Sequence, residues 1–217
     1  MAKVSKVIAM LSDKGGVGKS TWAASLVHAF NKAAGKYWAV LVDMDPSRIS
    51  TTLLSPNCFG RGSLSYVSSR AVLEMCTVNT DGGLADVVPP GEAYAGIDGV
   101  NAIEAYDDMI AALAEHYYII VVDLPGIPLE YSPLIRHAAS TADLAVVVAT
   151  QDSIHMAKRL RTALRDKPTF LVLNQYVKEY GGEVDARQMG MSKYGQMYVV
   201  CPFSGCVKKA VLEKKLP

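Results

Sequence analysis

This sequence predicts an α/β fold: a single doubly wound, mostly parallel sheet with helices on both faces. Three observations carry the prediction. Apolar runs of strand length alternate with segments of helical period along the chain. The strongest run, in YYIIVVDLPG, is apolar without alternation, as a central parallel strand must be when helices cover both faces. A glycine cluster, SDKGGVGKST, sits between the first apolar run and the first helical segment, and strand–helix–strand succession implies right-handed crossovers.

Each element follows from its local pattern. KVIAML (6–11) is strand-length and apolar, ended by Ser12 and the glycines. In STWAASLVHAFNKAAG, Trp22, Leu26, Val27 and Phe30 share a helical face, and Gly35 is a C-terminal stop. YWAVLVDMD is a second buried strand ending in acids, with a short helix over 49–54. Residues 55–81 are the hardest to read; SLSYVSSRAVLEMC has an impure helical period. GLADVVPPG reads as a strand closed by a turn. NAIEAYDDMIAALAEH is a helix with Ile103, Tyr106, Ile110 and Leu113 on one side. The alternation then continues with LIRHAAS (helix), DLAVVVAT (strand) and SIHMAKRLRTALRD (helix, capped by Ser153). PTFLVLNQY (strand), VDARQMGMSKYG (helix), MYVVCPF (strand) and GCVKKAVLEKK (helix) complete it. No repeat or low-complexity linker interrupts the 217 residues, so one domain spanning 1–217 is expected.

Bulk composition excludes little. Half the residues are hydrophobic, and 22 Lys and Arg face 21 Asp and Glu, so bulk charge does not mark a nucleic-acid binder. Cys58, Cys76, Cys201 and Cys206 form no C-x-x-C pair, and four reduced thiols of a cytoplasmic protein are expected. The N-terminal MAKVSKVIAMLS is too short in its apolar run for a signal peptide and lacks a cleavage site. No stretch is long and apolar enough to cross a bilayer.

The glycine cluster carries the chemistry. A backbone that wraps a phosphate chain needs inward N–H groups and few Cβ atoms; Gly15, Gly16 and Gly18 supply that freedom ahead of a helix N-terminus, and Val17 among them is also expected to bind the nucleotide. Lys19 is placed to reach β- and γ-phosphates, Ser20 to offer a hydroxyl to Mg²⁺, and Thr21 to reach a phosphate oxygen. The order G-x-x-x-x-G-K-[ST] is met only at its end, since Asp13 occupies the first glycine position. A dinucleotide fingerprint fails, because its third glycine would fall at Thr21.

The form K-G-G-x-G-K-[ST]-T resembles the deviant Walker A motif of the ParA/MinD family of ATPases, the SIMIBI class of P-loop NTPases. The resemblance implies ATP and Mg²⁺ as cofactors and a homodimer that sandwiches two nucleotides. Lys14 stands at the signature-lysine position, which implies that it acts in trans on the partner subunit's phosphates, as an arginine finger does. Asp43 and Asp45 in VLVDMDPS resemble the switch I pattern D-x-D-P, which implies that Asp45 orients the attacking water or a metal-bound water and that Asp43 supports it. Asp123 in IIVVDLPG resembles the Walker B acid and is expected to hold Mg²⁺ through water. The following Leu124-Pro125-Gly126 is one residue shorter than the D-x-P-A-G of MinD-like members. Asn174, in FLVLNQ, resembles the asparagine that reads the adenine edge, and is equally suited to capping a turn. Pro202 resembles the residue that opens the base-cradling loop.

The catalytic set is therefore expected to be Lys14, Lys19 and Asp45, with Ser20, Asp43, Asp45 and Asp123 around the metal. The small size and lack of an N-terminal DNA-binding extension resemble the short ParA subgroup, which implies plasmid partition or cargo positioning, a stimulating adaptor and nonspecific DNA binding. Lys158, Arg159, Arg161 and Arg165 are the candidate DNA contacts; such a run is also the ordinary solvated face of a helix. A MinD-like membrane role would need a longer amphipathic C-terminal helix than VKKAVLEKKL, and membrane recruitment is not expected. A metabolic ligase or kinase of the same fold would not need Lys14 across a dimer.

Overall fold

In the computed structural model, which describes residues 4–35, 38–80, 83–92, 100–164, 166–177 and 198–213, the apolar runs line up as one sheet. Its strands are β1 (Lys6–Leu11), β2 (Ala39–Asp43), β3 (Cys76–Thr80), β4 (Gly83–Val88), β5 (Ile119–Asp123), β6 (Leu144–Ala149), β7 (Thr169–Tyr176) and β8 (Tyr198–Pro202). Their order is β3-β4-β2-β5-β1-β6-β7-β8, and every neighbouring pair is parallel except β3 with β4. This is the mostly parallel sheet that the alternation of elements predicts. The described helices are α1 (Lys19–Ala34), α2 (Ile49–Leu54), α3 (Ser63–Ser69), α4 (Val100–Ala114), α5 (Pro133–Thr141), α6 (Ile154–Ala163) and α7 (Gly205–Leu212). The helix expected over 184–195 lies outside the described residues.

Alternation along each central strand divides the core in two. Ala9 and Leu11 of β1, with Val40, Val42, Ile120 and Val122, face a layer built on Tyr106, Met109 and Leu134. Ile8 and Met10, with Leu41 and Val121, face the other layer, where Ala23, Ala24 and Val27 of α1 pack. Small residues on α1 let it lie close to the strands. Its end is fastened by Asn31, whose amide spans the start of β2 through Trp38 N (2.8 Å), Ala39 N (2.7 Å) and Ala39 O (3.0 Å). Gly35, in the left-handed region at φ 64°, then terminates the helix as expected.

Three local expectations need correction. The 63–76 stretch is helical only to Ser69; Arg70 adopts φ 55°, and the chain leaves as an extended segment into β3. Ser153 does not cap α6 with its side chain. Its hydroxyl instead accepts from Thr150 N at 2.9 Å in a 3-10 turn ahead of the helix. The four cysteines are not all reduced: Cys58 and Cys76 form a disulfide, while Cys201 and Cys206 are free. The reason is topological. Antiparallel β3 sets Cys76 beside Val87 of β4, next to the loop that follows α2, with Cα atoms 5.7 Å apart.

The carboxyl end of β4 also seats α3. Pro89 O accepts from Ser63 N (2.8 Å) and Pro90 O from Leu64 N (2.9 Å). Gly62 makes this approach feasible, because a Cβ there would lie 1.5 Å from Pro89 O. Gly62→Ala is accordingly expected to lower stability by about 1–3 kcal/mol, read as a shifted urea midpoint at unchanged slope. Wild-type stability in that variant would contradict the packing described.

Candidate functional site

The parallel order brings the carboxyl ends of β1, β2 and β5 together, where open α/β sheets bind ligands. Register places Met10 of β1 and Asp43 of β2 each beside Asp123 of β5. The glycine loop begins directly after β1 and ends at the first residue of α1. Gly16 and Gly18 have φ of 78° and 92°, so the loop turns through conformations that favour glycine. Gly18 also meets the Asn174 side chain: a Cβ there would lie 2.2 Å from Asn174 Nδ2 and would displace that amide.

Lys19 and Ser20 open α1 and are both buried. Lys19 Nζ lies 2.5 Å from Asp123 Oδ1, 3.6 Å from Asp45 Oδ2 and 3.4 Å from Ser20 Oγ. A buried ammonium needs such partners, since isolated burial of its charge is prohibitive. Asp123 is fully buried and its second oxygen, Oδ2, has no hydrogen-bond partner. An unpartnered carboxylate oxygen, a serine hydroxyl touching the same ammonium, and Asp45 form an all-oxygen donor set. It suits Mg²⁺, which takes one or two carboxylates and completes its shell with water and phosphate. Among the described residues no group of three or more His, Cys, Asp or Glu is placed to hold a metal ion.

The two strand-end acids are handled differently. Asp43 has both oxygens engaged: Oδ1 accepts from Asp45 N at 3.0 Å, and Oδ2 accepts from Thr51 N and Thr51 Oγ1 at 3.0 and 2.6 Å. It thus orders the segment carrying Asp45, with both oxygens already accepting hydrogen bonds. Burial pushes its carboxyl up to about 6, and the neighbouring Asp123 charge adds to the rise. Asp45 is half-buried; its Oδ1 accepts from Ser47 N at 2.9 Å and its Oδ2 faces Lys19.

Lys14 is elsewhere occupied. Its ammonium is half-exposed and lies 2.5 Å from Oδ2 of Asp152, on the turn after β6. That hydrogen bond, with a second from Thr150, holds the Asp152 carboxyl down at about 2. The turn after β5 packs close by, since a Cβ on Gly126 would meet Lys14 O and Ser12 Oγ at 3.1 Å. Ser12 Oγ and Asp13 Oδ1 are buried there without hydrogen-bond partners, and burial raises the Asp13 carboxyl.

Asn174 lies against the glycine loop. Its amide donates to Val17 O at 2.8 Å, and that of Gln175 donates to Gly16 O at 3.2 Å. Gln175 reaches the loop because β7 is irregular between Leu173 and Tyr176 and Gln175 takes φ 55°. Pro202 pairs with Tyr176 at the exposed end of β8. Val17 is buried beneath the loop and Thr21 is half-buried on α1.

The basic run is not a free cationic stripe. Arg159 Nη2 pairs with Glu130 Oε1 at 2.8 Å, and Arg161 is half-buried. The backbone of Lys158 lies on α6, and Arg165 falls outside the described residues. Sequence reading missed Thr51, Asp152 and the loop-holding role of Gln175; none stands in a recognisable spacing with the residues it serves.

Residues 8–217 match the family model described as the CobQ/CobB/MinD/ParA nucleotide binding domain. Comparison with curated protein sequences gives no match. Solved structures of similar fold include MinD in the MinC:MinD cell division complex of Aquifex aeolicus (TM-score 0.72, 20% identity, covering 97% of this chain and 87% of that one). A plasmid partition protein of Borrelia burgdorferi is similar at TM-score 0.70 and 18% identity, covering 98% and 95%. So is the septum site-determining protein MinD of Pyrococcus horikoshii complexed with Mg-ADP, at TM-score 0.71 and 18% identity, covering 98% and 87%. At these identities the likeness is one of fold.

The raised Asp43 carboxyl is open to direct measurement. The folded protein holds that proton more tightly than the unfolded chain, where aspartate titrates near about 3.9. The contribution of Asp43 to stability therefore falls as pH rises from that value through about 6. In metal-free protein the ¹³C resonance of the Asp43 carboxyl is expected to titrate with a midpoint about 6; a midpoint at the ordinary aspartate value would contradict the desolvation described.

Proposed function

The chain belongs to the CobQ/CobB/MinD/ParA nucleotide-binding family, and from that premise we propose that it is a Mg²⁺-dependent ATPase switch that dimerises on ATP and positions a large cargo. The observation that carries this reading is the buried Lys19–Asp123 pair with Asp123 Oδ2 left unpartnered. A triphosphate arriving on the glycine loop offers Lys19 a stronger anionic partner than Asp123. Lys19 then moves its hydrogen bonds to the phosphates, and Asp123 and Ser20 are freed to hold Mg²⁺. The metal, when bound, neutralises charge on the β- and γ-phosphate oxygens. Backbone N–H groups from Gly15 to Gly18 and the start of α1 cradle the remaining charge. Asp45, held by Asp43 through its backbone, accepts from the attacking water and aligns it.

Lys14 supplies the cation that one chain lacks. In a single subunit it rests on Asp152. An exposed ion pair of this kind is weak and readily exchanged. In the proposed dimer, Lys14 leaves Asp152 for the partner's phosphates, where a cation stabilises the transferring phosphoryl group. Hydrolysis removes that attraction and the dimer loosens. Turnover is proposed to be slow until an adaptor protein stimulates it. The proposed cargo surface is DNA, bound without sequence preference through the basic residues of α6 and α7; Arg159 and Lys209 would exchange their exposed partners, Glu130 and Glu213, for phosphates. The setting proposed is the cytoplasm, on the nucleoid.

Mixed subunits test the trans lysine. Lys14→Ala and Lys19→Ala chains, each close to inactive alone, are expected to regain part of the ATPase activity when combined. Failure to complement, with dimers still forming on ATP, would sink the model. Asp45→Ala is expected to keep ATP-bound dimers while kcat falls at least about 10²-fold; lost nucleotide binding in a folded variant would remove Asp45 from the proposed role. DNA retention that requires ATP and disappears at high salt is the expected signature of the cargo surface. Pelleting with liposomes in its place would move that surface to a membrane.

A further inference from the structure

Asp45 begins a short, covalently braced path that ends at the edge of the sheet. Arg48 N donates to Asp45 O at 2.9 Å, closing the turn that carries Asp45. Arg48 itself sits in the left-handed region at φ 57°, immediately ahead of α2. A non-glycine residue holds that conformation only when its surroundings dictate it. Here the surroundings are specific: Arg48 Nη2 donates to Cys58 O at 2.5 Å, and the guanidinium lies 4.3 Å from the centroid of the Phe59 ring. Cys58 is buried and is bonded through its sulfur to Cys76, the first residue of β3. β3 in turn is paired along its length with β4. The seat of Arg48 is therefore fastened to the sheet by one covalent bond. Arg61 and Glu74 join the same two segments by hydrogen bonds of 2.7 Å, from Arg61 N to Glu74 Oε2 and from Glu74 N to Arg61 O. The two segments thus remain joined by hydrogen bonds where the disulfide is absent.

We propose that Arg48 is a positioning residue for Asp45, and that the Cys58–Cys76 disulfide, by holding the seat of Arg48, makes ATP hydrolysis sensitive to dithiol reductants. The proposal rests on the ATPase reading of the site. Of the two, Cys76 is the partly exposed residue and Cys58 the buried one, so attack is proposed at Cys76. A dithiol reductant in thiolate form displaces Cys58 from Cys76 to give a mixed disulfide. Its second thiol then closes on the first, releasing Cys76. Two electrons and two protons pass to the protein, which gains two thiols, and the reductant leaves as its own disulfide. The loop bearing Cys58 O and Phe59 then holds Arg48 less firmly, and Asp45 samples positions away from the attacking water. Small misplacements of a catalytic group are costly because the reaction needs near-attack geometry.

The test uses the full chain, prepared without reductant or treated with dithiothreitol, with alkylation and mass spectrometry reporting the state of Cys58 and Cys76. Reduction is expected to lower kcat about tenfold while KM for ATP changes less than about twofold. Arg48→Ala should show the same loss of kcat in the oxidised state and no further loss on reduction. Arg48→Lys, whose ammonium can still donate to Cys58 O, should recover part of the rate. Cys58→Ser/Cys76→Ser should stay at the reduced level in both conditions, whereas Cys201→Ser/Cys206→Ser should respond as the wild type does. Wild-type kcat in Arg48→Ala, an Arg48→Ala variant that still slows on reduction, or free thiols at Cys58 and Cys76 before treatment would each overturn the proposal. Hydrolysis indifferent to Arg48 and to reductant sinks this inference alone. No hydrolysis by the oxidised wild type sinks the ATPase reading and this inference with it.

Discussion

Two carboxylates on adjacent parallel strands, both removed from water, set the terms for this site. Asp43 and Asp123 lie opposite one another where β2 meets β5, and two such charges cannot both go unbalanced in a low dielectric. The fold resolves the conflict asymmetrically. Asp123 receives the Lys19 ammonium, while Asp43 receives three hydrogen bonds from Asp45 and Thr51 and a carboxyl shifted toward its neutral form. The asymmetry separates two tasks. One acid leaves its Oδ2 without a hydrogen-bond partner, and the other orders the segment that leads from β2 into α2.

Lys19 depends on the same arrangement. It is delivered to the acids because α1 begins at that residue, and α1 is held in place by small residues against the sheet and by Asn31 at its far end. A helix start placed by packing along the helix and by an anchor at its far end is how a modest local motif acquires a fixed geometry. The buried pair itself contributes little net stability, because desolvation of both charges offsets their attraction. Its role is to keep the site charged.

Much of this was legible in the chain. Strand-end acids after apolar runs, Asp43 and Asp123, announce themselves because a buried parallel strand is a continuous apolar string and its terminus is abrupt. The glycines and Lys19 are legible because the loop's backbone conformation demands particular residues at consecutive positions. What was hidden depends on contacts between distant segments. Thr51 serves Asp43 across a turn and a helix start, Asp152 holds Lys14 from 138 residues away, and Gln175 reaches the loop only because β7 is irregular. Cys58 and Cys76 are separated by a whole helix and a strand entry, so spacing alone gave no sign of their bond. The basic residues of α6 illustrate the reverse error: a charge run visible in sequence is partly spent on Glu130 once the chain is folded.

The clamp of Asn174 and Gln175 on Val17 O and Gly16 O has a thermodynamic corollary. Glycine-rich segments ordinarily surrender a large chain entropy when a ligand immobilises them. Here that ordering is completed during folding, with the amides of β7 acting as a mould. In the function proposed, a phosphate group meets a loop already held by two amides, and less chain entropy is lost on binding than a free glycine-rich segment would lose.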